Sequence, residues 1–172
     1  MLAVILALSL AACGAKKSIE EQYAVRNTKA LRDMMKDPDS FKLRDDVVVI
    51  VDEKNHIYYT FISASGSNSY GASIRSVSIF KDGKYFADLD DEDELLSKME
   101  EAERLYKNDK SEENRDRLSN ASNDVYRLYL LKKWYLNGAN YNHTDVDGIH
   151  IVTTTVFDQK SIGRQAKVDY EK

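Results

Sequence analysis

The chain opens on an apolar stretch and then changes character abruptly. No charged side chain occurs before Lys16, and charge is dense after it. The apolar run from Leu2 to Ala12 reaches about 16 Å as a helix, against a bilayer hydrocarbon core of about 30 Å. That is the length of the hydrophobic region of a signal peptide and too short for a membrane span. Beyond it, Ser18-Ile19-Glu20-Glu21 has the form of a capping box, with Ser18 placed to accept from the third backbone N–H and Glu21 to reach back. Ile19, Tyr23, Ala30, Leu31, Met34 and Met35 then recur near helical spacing and predict a helix over 18–36. Pro38 ends it, because the residue before a proline avoids the α region.

The period then changes. Val47 to Val51 is an unbroken β-branched run, 57–64 is strand-like, and 73–80 alternates in part, with Val77 and Ile79 on one face. Lys81-Asp82-Gly83-Lys84 predicts a tight hairpin, since Asp-Gly suits the positive φ angles of a type I′ turn, and 85–87 returns as a strand. From Asp88 the spacing is helical again. Leu95, Leu96, Met99, Ala102, Leu105 and Tyr106 form one stripe, broken at Asn108-Asp109-Lys110. Leu118, Ala121, Val125, Leu128 and Tyr135 form a second, closed by Asn137-Gly138. Ile149 to Phe157 reads as the last strand, with Thr153, Thr154 and Thr155 favouring β structure. The weakly patterned residues 160–172 suit one more edge strand. The class expected is α+β: an N-terminal helix packed on an antiparallel meander sheet, with a helical hairpin at about 91–137 inserted before the last strand.

Composition changes this picture at one residue. The 172 residues carry 25 basic and 29 acidic side chains, a net charge of −4, which argues against a general nucleic-acid binder with its basic face. There is a single cysteine, Cys13, so no intramolecular disulfide and no Cys-rich zinc site can form. Cys13 ends the apolar run, and Leu10-Ala11-Ala12-Cys13 resembles the bacterial lipobox. The resemblance implies that the Cys13 thiol takes a diacylglyceryl group and that cleavage before it makes it the first mature residue. The segment departs from the usual pattern in having no Lys or Arg before the run. Residues 1–12 are then a lipoprotein signal peptide, 13–17 a lipidated tether and 18–172 a single domain. Two acyl chains anchor stably where one binds only marginally, which predicts an extracytoplasmic protein held on the cell membrane through acylated Cys13.

A second resemblance lies in the body. Lys36-Asp37-Pro38-Asp39-Ser40-Phe41-Lys42, then a strand, then Ser69-Tyr70-Gly71-Ala72, is similar to a domain of uncharacterised secreted proteins and lipoproteins of low-GC bacteria. The likeness covers roughly 20–90, has Ala72 where that domain often has a second glycine, and implies no catalytic residue. Pro38 stops the helix and Phe41 begins the descent into the core.

Candidate chemistry is thin. The acidic run Asp88-Leu89-Asp90-Asp91-Glu92-Asp93-Glu94 lacks the glycine and distal glutamate of a calcium loop and reads as a charged helix start. Asp145-Val146-Asp147-Gly148 resembles only the middle of an EF-hand loop and reads as a turn entering the last strand. His56, His143 and His150 have no histidine three or four residues away. Ser65, Ser67, Ser69 and Ser73 lack a nucleophile-elbow frame, and Gly66 and Gly71 form no phosphate loop. Eleven tyrosines stand out. Tyr126, Tyr129 and Tyr135 share a predicted helix with Trp134, while Tyr58, Tyr59, Tyr70 and Tyr85 fall in the meander; such residues fill a core or line a groove for sugar or peptide. No catalytic residue, cofactor or metal ligand is assigned. The expectation is a non-enzymatic binding or structural module of the cell envelope with a protein or glycan partner. The alternative is a small-ligand carrier or enzyme with a cystatin-like or NTF2-like pocket.

Overall fold

The computed structural model describes residues 17–67, 72–136, 144–146 and 149–171. The expected α+β class is observed. Helix α1 (Ile19–Met34) is followed by a 3-10 turn (Pro38–Ser40), then strands β1 (Lys42–Leu43), β2 (Val47–Asp52), β3 (Ile57–Ser67), β4 (Ser73–Lys81) and β5 (Lys84–Asp88). Helices α2 (Glu92–Asn108) and α3 (Glu112–Leu136) form the hairpin, and β6 (Thr144–Val146), β7 (Ile149–Phe157), α4 (Gln159–Ala166) and β8 (Asp169–Tyr170) complete the chain. The sheet runs β5-β4-β3-β2-β7-β6, with β1 also against β3 and β8 beside β1. Among the described residues only the short β1–β8 pair is parallel.

Local chemistry accounts for the element ends. The Ser18 hydroxyl caps α1 by accepting the Glu21 N–H at 3.1 Å. Glu21 does not close the box; its carboxylate accepts from the Gln165 amide of α4 at 2.9 Å, so the two helices are tied side by side. Asp82 and Gly83 have φ of 49° and 82°, the positive angles that the Asp-Gly pair predicts for the β4–β5 turn.

Both faces of the sheet are covered. Val47, Val49, Ile62, Ala64 and Phe80 face α1 and α4, where they bury Ala24, Leu31, Phe41, Leu43 and Ile162. Ile50, Tyr59, Phe61 and Ile79 face the helical hairpin, meeting Leu95, Leu128, Leu131 and Trp134. This explains the unbroken run Val47–Val51: a strand sandwiched between two layers has no polar side to alternate with. On the α1 side the buried Asn27 amide donates to the Thr60 hydroxyl at 2.9 Å, so helix and central strand also share a polar bond.

Three segments differ from expectation. Residues 160–172 do not form one edge strand. Asp158 caps α4 by accepting the Ser161 N–H at 2.9 Å, and only β8 beyond it joins the sheet. Thr144–Val146 forms a strand against β7, where a turn into β7 was expected. The two-residue strand β1 is too short to leave a periodic signal. No helix among the described residues is long and apolar enough to cross a membrane.

Candidate functional site

The clearest concave feature built from several elements lies where α1 ends over β3, β4 and the tail of β5. It is a cleft of about 380 Å³ lined by Leu31, Met34, Met35, Lys36, Gly66, Ser67, Ile74, Ser76, Ser78, Tyr85 and Asp88. Strand alternation positions its floor: Ile74, Ser76 and Ser78 share one face of β4, leaving Val77 and Ile79 to the hairpin side. Gly66 opposes Ile74 in the β3–β4 register and lets Met35 lie flat, because a Cβ there would come within 2.5 Å of the Met35 sulfur. The walls are apolar and wet at once. Met34 is 56% exposed, Ile74 49% and Tyr85 40%. Soluble domains seldom leave large apolar side chains gathered on one concave surface without use.

The far end of the cleft is acidic and ordered. The Ser78 hydroxyl donates to Asp88 Oδ1 at 2.5 Å, and the Tyr85 hydroxyl donates to Asp91 Oδ2 at 3.2 Å. Asp91 Oδ2 also accepts the Asp88 N–H at 3.0 Å, bracing the turn from β5 into α2. Burial holds the Asp88 carboxyl above the usual carboxylate range, against the pull of the Ser78 bond. Burial, with Asp88 and Asp91 close by, holds the Tyr85 phenol above its ordinary value.

A raised carboxyl pKa has a definite consequence for stability. The folded state keeps its proton to higher pH than the unfolded state, so stability declines as pH rises from the ordinary Asp value through the raised folded value. Asp88→Asn removes the ionisation and keeps an acceptor for Ser78. The variant is expected to melt above wild type at neutral pH, with the difference shrinking toward about pH 3, where the carboxyl is protonated in both states. Thermal melts across that range check it, and a variant that melts lower at every pH contradicts it.

The sequence-singled residues are dispersed. Cys13, Ser69, Tyr70, Gly71, His143, Asp147 and Gly148 lie outside the described residues. Ala72, next to the Tyr-Gly pair, is exposed and leads into β4. Phe41 is buried, as the Asp-Pro turn predicts. His56 is exposed in the β2–β3 turn with a φ of 54°, and His150 pairs through its backbone with Asp145. The Ser65 hydroxyl donates to the Glu171 carboxylate at 2.9 Å, and the Ser67 N–H donates to the Ser40 hydroxyl at 2.8 Å. Among the described residues no group of three or more His, Cys, Asp or Glu is placed to hold a metal ion. In the acidic run, Asp90 and Glu92 lie 3.8 and 3.6 Å from Lys132 of α3 and fasten the two hairpin helices to each other.

The described tyrosines do not converge. Tyr59 is fully buried and its phenol is pushed up to about 12, chiefly by that burial. Tyr135 stacks on Phe61, and Tyr58 stacks on Tyr23 of α1 at 4.7 Å. Tyr126 and Tyr129 face solvent on α3. Of the described tyrosines, only Tyr85 lines the cleft. The methionines of α1 and the serines of β4 line it as well, a role the sequence reading did not give them.

The fold and cleft define an α+β domain with helices on both faces of a mainly antiparallel sheet and an amphipathic groove at one end of α1. No protein-family model, curated protein or solved structure matches this chain.

Proposed function

We propose that this chain is a membrane-anchored extracytoplasmic lipoprotein of the cell envelope, a non-enzymatic module that holds a partner in the α1–β4 cleft. The observation that carries it is the lone cysteine, Cys13, closing an uncharged run five positions before Ser18, the N-cap of the first helix. The exposed Met34, Ile74 and Tyr85 support a binding role, since flexible thioethers and an aromatic suit contact with an apolar segment of protein or the faces of a glycan.

One observation favours the carrier or enzyme reading. Asp88 is a part-buried carboxyl held above the usual carboxylate range by burial, on a cleft of a few hundred Å³, a feature active sites share. Against acid–base chemistry there, Asp88 is engaged by Ser78 and the Tyr85 hydroxyl is spent on Asp91.

The anchor is tested by growing cells with an alkyne-tagged fatty acid. Wild type is expected to carry the tag and to fractionate with membranes. Cys13→Ser is expected to lose the tag completely and to retain its uncleaved leader. An equal tag on both proteins rules out lipidation at this cysteine.

A further inference from the structure

We propose that the end of the domain bearing the N-terminus of α1 is a contact surface for an anionic membrane, so that the Met34–Met35 end of the α1–β4 cleft is held off the lipid. The proposal rests on the anchoring reading for proximity and on the following geometry for chemistry.

A second surface cleft, of about 520 Å³, is lined by Lys17, Ile19, Gln22, Tyr23, Val25 and Arg26 along the first two turns of α1. Ile19 is 54% exposed there, and Lys17 and Arg26 are exposed beside it. The Arg26 guanidinium lies over the Tyr23 ring at 4.6 Å, and Tyr23 stacks on Tyr58 at the start of β3. Arg26 also packs against Gly83, which brings the β4–β5 turn to the same end. In that turn Lys81 and Lys84 face each other across the hairpin. Lys17, Arg26, Lys81 and Lys84 have no ion-pair partner among the described residues. Acids share this end, with Glu53 exposed in the β2–β3 turn. Asp82 accepts the Tyr58 N–H, Glu21 accepts from Gln165, and Glu20 is half-buried.

Four unpaired cations around an exposed isoleucine and a tyrosine match a lipid interface. Cations meet headgroup phosphates, and the exposed Ile19 enters the boundary layer while Tyr23, stacked on Tyr58, holds Arg26 in place. The chain itself sets the distance. From Cys13 to Ser18 an extended tether spans at most about 18 Å, so an acylated Cys13 would hold this end against the bilayer. Met34 lies eight residues beyond Arg26, about 12 Å farther along α1, so the methionine end of the cleft stands off this surface.

The test uses the acylated protein purified from cells and placed on vesicles of phosphatidylcholine alone or with phosphatidylglycerol added. Amide exchange over 17–26 and 81–84 is expected to slow several-fold on the anionic vesicles only, with residues 74–78 unchanged. The triple variant Arg26→Gln, Lys81→Gln, Lys84→Gln is expected to lose the slowing, in step with about a fivefold weaker surface attraction per cation removed, and raised salt is expected to mimic it. Equal exchange on both vesicle types, or protection centred on 74–78, overturns the proposal even when the fatty-acid tag is present. A wild-type chain without the tag overturns the anchoring reading instead, and the same exchange pattern still judges the surface. Fatty-acid labelling of the triple variant at the wild-type level shows that the loss is not one of export, and wild-type exchange of β2, β3 and β4 without vesicles shows that it is not one of folding.

Discussion

Replacing Phe61 by alanine is expected to lower the unfolding free energy by about 3–5 kcal/mol, the range for removing a buried aromatic from a core. Phe61 is 1% exposed on the central strand β3. Its ring meets Trp134 at 5.8 Å and stacks on Tyr135 at 5.2 Å with an interplanar angle of 8°. The two α3 rings reach the sheet there, so the substitution opens a cavity at the seam between hairpin and sheet. Trp134 is the only tryptophan in the chain and is itself buried, so its emission reports on that seam alone. A red shift in the folded variant, with a melting point lower by about 6–20 °C, is the expected signature. Phe61→Leu keeps most of the volume and should cost under about 1.5 kcal/mol. If Phe61→Ala unfolds within 1 kcal/mol of wild type and Trp134 emission is unmoved, the hairpin is held by something other than this contact.

That contact also shows where sequence reasoning stopped. The stripes Leu95–Tyr106 and Leu118–Tyr135 identify two amphipathic helices, because a period of 3.6 is written directly in the chain. They say which side of each helix is apolar and nothing about which side of the sheet receives it. The unbroken run Val47–Val51 held that information, since a strand with no polar alternation needs a layer on each face. Reading it as a plain meander strand left one face unassigned. The Asp-Gly turn and the Pro38 stop were legible because each depends on the backbone limits of one or two residues. The cleft was not legible for the opposite reason. Leu31 to Lys36, Gly66, Ile74 to Ser78 and Tyr85 to Asp88 come from four separate elements, and only the β3–β4 register and the placing of α1 bring them together. Met34 belongs to the helical stripe of α1, yet it lines the cleft and remains largely exposed. The tyrosines fit either a core or a groove by sequence, and four of the described ones divide between a core role at Tyr59 and Tyr135 and a solvent role at Tyr126 and Tyr129.

Helix α4 is the element whose loss is expected to matter most on the other face. It has two fully turned-in apolar residues, Ile162 and Ala166, four apart, with Gly163 between them. Eight residues with one glycine do not make a helix that is stable by itself, so α4 must owe its order to packing. The packing is specific. Gly163 lets the Tyr170 ring approach, since a Cβ there would stand 3.0 Å from the ring and 3.1 Å from the Val168 carbonyl. Gln165 reaches Glu21 of α1, and Lys167 takes the left-handed conformation usually left to glycine, so that the chain can turn into β8. Ile162 is fully buried against the α1-side core with Ala24, Val47, Val49 and Phe41. Ile162→Ala is therefore expected to cost about 2–5 kcal/mol in chemical unfolding, whereas the exposed Lys160→Ala should stay within about 0.5 kcal/mol. The damage should spread to β1 and β8, because Glu171 receives bonds from Ser65 and Arg44 only while β8 is paired. Those bonds hold the Glu171 carboxyl below its ordinary value. Its contribution is complete above the unfolded-state value and is lost as pH falls through the lower folded one. Acid should therefore loosen β8 in wild type, and the Ile162→Ala protein, with α4 already undocked, should show less of that acid step. An alanine variant as stable as Lys160→Ala would make α4 an ornament on the sheet rather than the lid of its second core.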